Sequence, residues 1–218
     1  PVLDPGRGRT RTGRLWVYAR DQRPWAGTDP PAALYLFAPD RKAERPAAHL
    51  ARFEGVLQVD GYAGFEPLAS SGKVRLAACW AHARRKFYDI AQATGAPIAT
   101  EALRRIGELY AIEAQVRGQS AALRKAARLE SSRPLAAALK VWLEQQLIRV
   151  PPRGHLAEAI RYALARYDAL ALFLTDGRIE MDNNAVERAI RPVALGRKNH
   201  LFAGSDGGAE RWAIVVSL

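Results

Sequence analysis

The sequence of 218 residues carries a formal net charge of +11, because 33 Lys and Arg residues outnumber 22 Asp and Glu residues. Apolar residues make up 49% of the chain and charged residues 25%, which is typical of a globular protein and excludes a disordered tail, a collagen and a coiled-coil rod. The excess of positive charge indicates either a partner rich in phosphate or simply a basic proteome, and both readings stay open on composition alone.

The single cysteine, Cys79, excludes a disulfide framework and a zinc cluster rich in cysteine. A reducing, cytoplasmic location is therefore expected. No apolar stretch approaches the ~20 residues of a membrane-spanning helix, so no membrane partner is predicted. The chain starts at Pro1 and stops within an apolar run at Leu218, and we expect it to be a piece of a longer protein.

The first part of the chain predicts strands with one short helix between them. Residues 1–14 are interpreted as a turn-rich basic segment. Residues 15–20 and 33–37 are rich in aromatic and β-branched side chains, and the Pro/Gly/Asp loop between them favours antiparallel pairing. A short helix is predicted within residues 42–53, with Pro46 in its first turn.

Two further strands are predicted before the sequence changes character. Val56–Asp60 is a short apolar run ending at Asp60-Gly61, and Lys73–Cys79 is a second one. The order β-β-α-β-α-β predicts an α/β fold whose sheet has mixed strand directions.

From residue 80 to residue 175 the apolar side chains recur at helical spacing. Four to five helices are predicted, one beginning at Pro134 and two others separated by residues 150–154. We interpret residues 80–180 as an all-helical insertion that divides an α/β core into residues 1–79 and residues 181–218.

The last part of the chain predicts a helix, a short strand and a second helix. Asp182-Asn183-Asn184 is a strong helix start. Pro192 is compatible with a kink or an end of this helix. A strand is predicted at residues 200–203, followed by a helix from near Ala209.

Two carboxylates are candidates for catalysis, and each has a structural alternative. Asp60, at the end of a buried strand, is well placed to hold a metal ion, but Asp-Gly is also a common hairpin turn. Glu187 could instead cap its own helix through Asn184 or pair with Arg191 at the i,i+4 spacing.

Two other groups carry weaker signals. The C-x-x-H sequence of Cys79 and His82 offers two metal ligands, but a zinc site needs about four, so a buried Cys and a satisfied His are the alternative. Close-set cations beside a Gly-bearing turn suit DNA phosphates or form a solvated basic face; with the neighbouring amide they are Arg188, Arg191, Arg197, Lys198 and Asn199.

The order of these features resembles the ribonuclease H-like fold of DDE transposases. The chain is similar over nearly its whole length to the transposases of insertion-sequence family 66. The segments that carry this resemblance are Gly13–Tyr18, Asp60–Phe65, Cys79–Phe87, Asp182–Arg188 and Gly196–Asn199.

The resemblance implies a two-metal site for phosphoryl transfer, built from two Asp and one Glu. Asp60 would be the second catalytic carboxylate and Glu187 the third; both would bind Mg²⁺, with Mn²⁺ as a substitute, and are expected to converge in the fold. His82 is expected near the scissile phosphate. The first catalytic Asp is expected a few residues before Pro1, since Asp4 sits in a Pro/Gly turn beyond the expected strand.

The implied partners are DNA, as element ends and target, and further copies of the same chain on that DNA. Without the upstream Asp, the chain alone is expected not to cleave DNA. Two alternatives stay open at this point: a catalytically incomplete DNA-binding remnant of a transposase, and a metal-dependent nuclease of the same fold.

Overall fold

The computed structural model describes residues 2–4, 6–196 and 203–217. Its first element is an antiparallel hairpin of β1 (Val2–Asp4) and β2 (Arg9–Arg11). The sequence interpretation as a plain turn-rich segment was therefore incomplete, and Asp4 ends a strand. Two glycines in the turn, Gly6 and Gly8, adopt positive φ angles of 73° and 60° and let so short a connection reverse the chain.

The predicted antiparallel pair is confirmed. Strands β3 (Arg14–Arg20) and β4 (Ala32–Ala38) pair along their full lengths, with Arg14 opposite Ala38 and Arg20 opposite Ala32. Tyr35 of β4 ties this pair to the end of the chain, because its hydroxyl donates to the carbonyl of Ala189 at 2.7 Å.

The next strands are parallel. After α1 (Glu44–His49), strand β5 (Gly55–Val59) pairs with β6 (Val74–Ala78), and α2 (Glu66–Ala69) lies in the crossover between them. The described chain thus contains both antiparallel and parallel strand pairs, and β5 and β6 lie within two residues of the predicted strand positions.

The single mixed sheet expected from the sequence is not formed by the described strands, which make three separate two-stranded ladders. Strands β3 and β5 border a cavity of about 1030 Å³ that is lined by every residue of both. Among the described strands, β3 pairs only with β4 and β5 pairs only with β6, so each has one edge without a partner strand. No described strand lies between β3 and β5 to join the two ladders.

Between residues 80 and 174 the chain is helical, with six α-helices rather than four to five. The helices are α3 (Trp80–Thr94), α4 (Pro97–Val116), α5 (Ala121–Ala127), α6 (Arg133–Arg149), α7 (His155–Ala165) and α8 (Tyr167–Leu170). The number exceeds the prediction because α5 and α8 are short. A π-helical turn, Arg128–Ser132, joins α5 to α6.

These helices enclose the main hydrophobic core, which extends to β6 through Ala77 and Ala78. Large side chains at its centre are almost fully buried: Trp80, Phe87, Ile106, Leu139, Ile160 and Phe173. The helical region and the strand that precedes it therefore share one core. No helix among the described residues is long and apolar enough to span a membrane.

The last elements are α9 (Asn184–Gly196) and α10 (Asp206–Ser217). Pro192 lies inside α9 and does not end it. The predicted strand at 200–203 falls mostly outside the described residues, although Ala203 bridges to Val2. Helix α10 starts earlier than expected, since Ser205 caps it by accepting from the N–H of Gly208 at 3.0 Å.

Candidate active site

Asp60 directly follows the C-terminal end of β5 and is exposed. Its Oδ1 accepts the backbone N–H of Tyr62 at 3.0 Å, which fixes the turn. The turn is not a hairpin, because β5 crosses over to the parallel strand β6. Within the described ranges the other carboxylate oxygen, Oδ2, accepts no hydrogen bond, so one oxygen of Asp60 is available to a ligand.

Glu187 lies in the first turn of α9. Its backbone N–H donates to the carbonyl of Asn183 at 3.2 Å. Its carboxylate makes neither the capping bond nor the Arg191 pair considered from the sequence, nor any other polar contact within the described part of the chain. Neither alternative therefore accounts for this residue.

Asp60 and Glu187 line the same cavity, the one between β3 and β5, although the whole helical region separates them in the sequence. Their carboxylate oxygens are the ligand type that Mg²⁺ prefers. Across residues 2–4, 6–196 and 203–217, however, no three His, Cys, Asp or Glu side chains are grouped closely enough to hold a metal ion. The carboxylates of Asp60 and Glu187 are therefore the right type of ligand for Mg²⁺, but the described residues supply an incomplete set of donors.

The start of α9 is fastened to the end of β6 and the start of α3. The buried thiol of Cys79 donates to Oδ1 of Asn183 at 3.0 Å, and the N–H of Trp80 donates to the carbonyl of Met181 at 2.9 Å. Burial raises the pKa of the Cys79 thiol, which keeps it protonated as a donor. The structural alternative for Cys79 is thus what the structure shows.

A network of buried charges holds the segment that leads into α9. Arg128 is fully buried; its Nη1 donates to the carbonyls of Phe173, Asp176 and Ile179 at 2.8–2.9 Å, and its Nε bonds Glu113 at 2.6 Å. Arg124, also buried, pairs with Glu113 at 3.1 Å and with the carboxylate of Glu180.

The network also reaches β5, because Nε2 of Gln58 donates to the backbone carbonyl of Glu180 at 2.8 Å. Gln58 lies two residues before Asp60, so the strand that presents Asp60 is tied to the segment that presents Glu187. Sequence reasoning missed this network. The available signal was a pair of arginines, Arg124 and Arg128, at i,i+4 spacing on one face of a predicted helix.

His82 is not brought into the cavity. It lies in the first turn of α3, half-buried, and does not line the space between β3 and β5. Its Nδ1 is buried without a hydrogen-bond partner among the described residues. The satisfied histidine considered from the sequence is thus not what the structure shows, and its predicted place near the phosphate stays a prediction.

The predicted DNA-binding cations are only partly described. Arg188 is half exposed and lies 3.5 Å from the carboxylate of Asp21, at the end of β3, while Arg191 is exposed. A hydrogen bond from Arg23 holds the pKa of Asp21 at about 2, so this carboxylate is charged and offsets part of the charge of Arg188. Arg197, Lys198 and Asn199 lie outside the described residues.

Comparison with known proteins gives one family. The family described as "Transposase IS66 family" matches residues 1–211. Two uncharacterized proteins of Sinorhizobium fredii, y4qI and y4jD, are 49% and 46% identical to the whole of this chain, which covers 42% and 44% of their lengths. The chain therefore spans less than half the length of these curated relatives. No solved structure matches it significantly.

Proposed function

The chain belongs to the IS66 family of transposases, and from this membership we propose that it is the catalytic core of a DDE-type DNA transposase. The proposed reaction is divalent-metal-dependent cleavage of DNA and transfer of the cut strand during movement of an insertion sequence. The observation that carries the proposal is the shared cavity of Asp60 and Glu187, two carboxylates that are distant in sequence.

Asp60 and Glu187 would hold Mg²⁺, or Mn²⁺ in its place, through oxygens that accept no hydrogen bond within the described chain. Such ions, when bound as a pair, activate the attacking hydroxyl and stabilise the leaving oxygen of a phosphodiester. The chain's own part is to position the elements that carry both carboxylates: the Gln58–Glu180 contact ties β5 to the segment before α9, and the Cys79–Asn183 contact ties the end of β6 to the start of α9.

DNA is held, in this proposal, by cations that contact its backbone without reading its sequence. Arg188 and Arg191 lie on α9 beside Glu187 and reach solvent. Arg197, Lys198 and Asn199 are expected to continue this surface, and His82 to approach the scissile phosphate. Several copies of the chain are expected to act together on paired DNA ends.

The cavity between β3 and β5 is proposed to receive the opening strand of a ribonuclease H-like sheet, supplied by the parent protein upstream of residue 1. Two free strand edges face this cavity, and a paired strand would satisfy both. A Cβ placed on Gly13, immediately before β3, would lie 2.9 Å from Cγ2 of Val2. Val2 therefore lies beside the start of β3. A strand that ends just before residue 1 and lies along β3 would run antiparallel to β3.

That strand is also the proposed source of the first catalytic Asp, which would complete the donor set. The incomplete set favours a second candidate function for the chain by itself, a DNA-binding piece without cleavage activity. We therefore expect the 218-residue chain alone not to cleave DNA in Mg²⁺. Cleavage by this chain that survives Asp60→Asn would contradict both the expectation and the site.

The experiment that tests the proposed function is strand transfer by the parent protein on a cognate element end. Asp60→Asn and Glu187→Gln each remove a ligand charge, so activity is expected to fall by more than the roughly 10–100-fold that loss of an outer-shell partner costs. Glu158→Gln is the matched control, since Glu158 is an exposed carboxylate on α7 that does not line the cavity. Retained activity in either ligand variant would overturn the assignment.

A further inference from the structure

Two cations of the helical region rest on one aromatic ring. The Nζ of Lys86, on α3, lies 4.6 Å from the ring centroid of Tyr162, on α7. The Cζ of Arg166, which directly follows α7, lies 4.3 Å from the same centroid. Cations over an aromatic face are attracted by its negative potential, so Tyr162 holds two long, flexible side chains near one position. We name Lys86, Tyr162 and Arg166 the α3–α7 cation cluster.

The cluster adjoins Asp60. Gly61 has a φ of +91°, and a Cβ placed on it would meet the hydroxyl of Tyr162 at 2.7 Å and Nε of Arg166 at 3.6 Å. Burial raises the pKa of Tyr162; the charge of Arg166 opposes that shift, and the charge of Asp60 adds to it. The helical region therefore reaches the residue next to the candidate metal ligand.

Neither cation is neutralised within the described part of the chain, where no carboxylate lies within ion-pair distance of Lys86 or Arg166. Other arginines of the same region are paired: Arg104 bonds Glu101 and Glu108, and Arg128 bonds Glu113. Lys86 is exposed and Arg166 is half-buried, so both can reach a ligand from solvent. The cluster thus presents, beside Asp60, two positive charges that no described carboxylate neutralises.

We propose that the α3–α7 cation cluster binds a backbone phosphate of DNA beside Asp60, so that the helical region supplies part of the DNA-binding surface. The proposal rests on the proposed function. The forked guanidinium of Arg166 and the point charge of Lys86 both suit phosphate oxygens. A phosphate brought close to the Asp60 carboxylate is repelled by it, and two adjacent cations offset that repulsion.

The test is the salt dependence of DNA binding by the 218-residue chain, measured with a duplex of 30 base pairs in EDTA. EDTA keeps binding separate from cleavage. Lys86→Gln with Arg166→Gln removes both charges and keeps an unbranched polar side chain at each position. Loss of one phosphate contact is expected to reduce the slope of log K against log [salt] by about 0.9. Lys86→Gln alone alters only an exposed side chain and is expected to weaken binding in the same direction.

Lys140→Gln is the matched control, because Nζ of Lys140 lies 4.8 Å from the ring centroid of Tyr167 in the same kind of contact. Tyr167 is near Asp168 and Glu144 instead of Asp60. For Lys140→Gln, the slope of log K against log [salt] is expected to equal that of the unaltered chain. If the double variant and Lys86→Gln both bind like this control, the cluster does not contact DNA, while the proposed function stands. If the unaltered chain shows no salt-dependent DNA binding, the proposed function fails together with the cluster.

Discussion

At the scale of single residues, Arg128 shows how the candidate site is positioned from the interior. Its guanidinium is fully buried and bonds three backbone carbonyls of the segment that leads into α9, as well as Glu113. An unpaired charge in such a place is unfavourable, so each partner depends on the others. Arg128 thereby connects the helical region to the placement of Glu187.

Replacement of Arg128 by Met is expected to lower the free energy of unfolding by about 3–5 kcal/mol, because three buried carbonyls lose their donor and Glu113 keeps only Arg124. Chemical denaturation measures this loss. Arg104→Met is the control, since Arg104 bonds Glu101 and Glu108 on an exposed face and its side chain is 55% exposed. A loss for Arg128→Met no larger than that of the control would show that the buried network does not hold the fold.

Asp21 gives a pH-dependent prediction. Its folded pKa of about 2 lies below its ordinary value because Arg23 donates to it, so its stabilising effect is present above roughly pH 4 and is lost as the pH falls through 2. Asp21→Asn is expected to cost about 1 kcal/mol at pH 7, allowing for the solvent around Arg23. The unfolding free energies of the two proteins should approach each other as the pH falls through 2 and converge below it. A constant difference across this range would contradict the assigned cause.

At the scale of elements, the sequence predicts the strands and helices that have a distinctive pattern of neighbouring residues. β3 to β6 and the main helices follow from aromatic and β-branched runs, helical spacing and the position of Pro134. The β1–β2 hairpin was missed because its strands have only three residues each and β2, Arg9–Arg11, contains no apolar residue. Asp60 and Glu187 could be nominated from motifs, whereas the Arg124 and Arg128 partners depend on tertiary packing that no local pattern encodes.

Gly61, in the turn that follows β5, lies against Tyr162 of α7, and a substitution at Gly61 tests this contact directly. Gly61→Ala forces a side chain into a positive-φ position and against the Tyr162 hydroxyl, 2.7 Å away. We expect a loss of unfolding free energy of about 1–3 kcal/mol, part of which Tyr162→Phe recovers. Gly72→Ala serves as control, since Gly72 has a φ of +72° and no neighbour within 4 Å of the added Cβ. Equal losses at the two glycines, unaffected by Tyr162→Phe, would show that this contact carries no energy.

At the scale of the whole molecule, the cavity between β3 and β5 lies between two separate ladders. A gap of this kind cannot be predicted from a strand pattern, because each strand shows the same apolar content whether one edge or both are paired. Because Asp60 and Glu187 line this cavity, the strand proposed to enter it would complete the sheet and the donor set together.

Amide hydrogen exchange tests the proposed strand. The amides in question are those on the β3 and β5 edges without a partner strand. In the parent protein they are expected to exchange roughly 10-fold more slowly than in the 218-residue chain, because each gains a hydrogen bond to the added strand. Amides of α6 (Arg133–Arg149) serve as the internal reference, because α6 does not border the cavity. Equal exchange at the β3 and β5 edges in the two proteins would mean that no strand enters there.

Asp60 and Glu187 are proposed to hold metal ions for DNA cleavage, and the metal preference of cysteine variants tests this role most directly. Thiolate is a soft ligand that suits Mg²⁺ poorly, and Mn²⁺ accepts sulfur more readily. Cleavage of a cognate element end by the parent protein with Asp60→Cys, and separately with Glu187→Cys, should be lost in Mg²⁺ and regained in Mn²⁺. Full activity of either variant in Mg²⁺ would contradict the account.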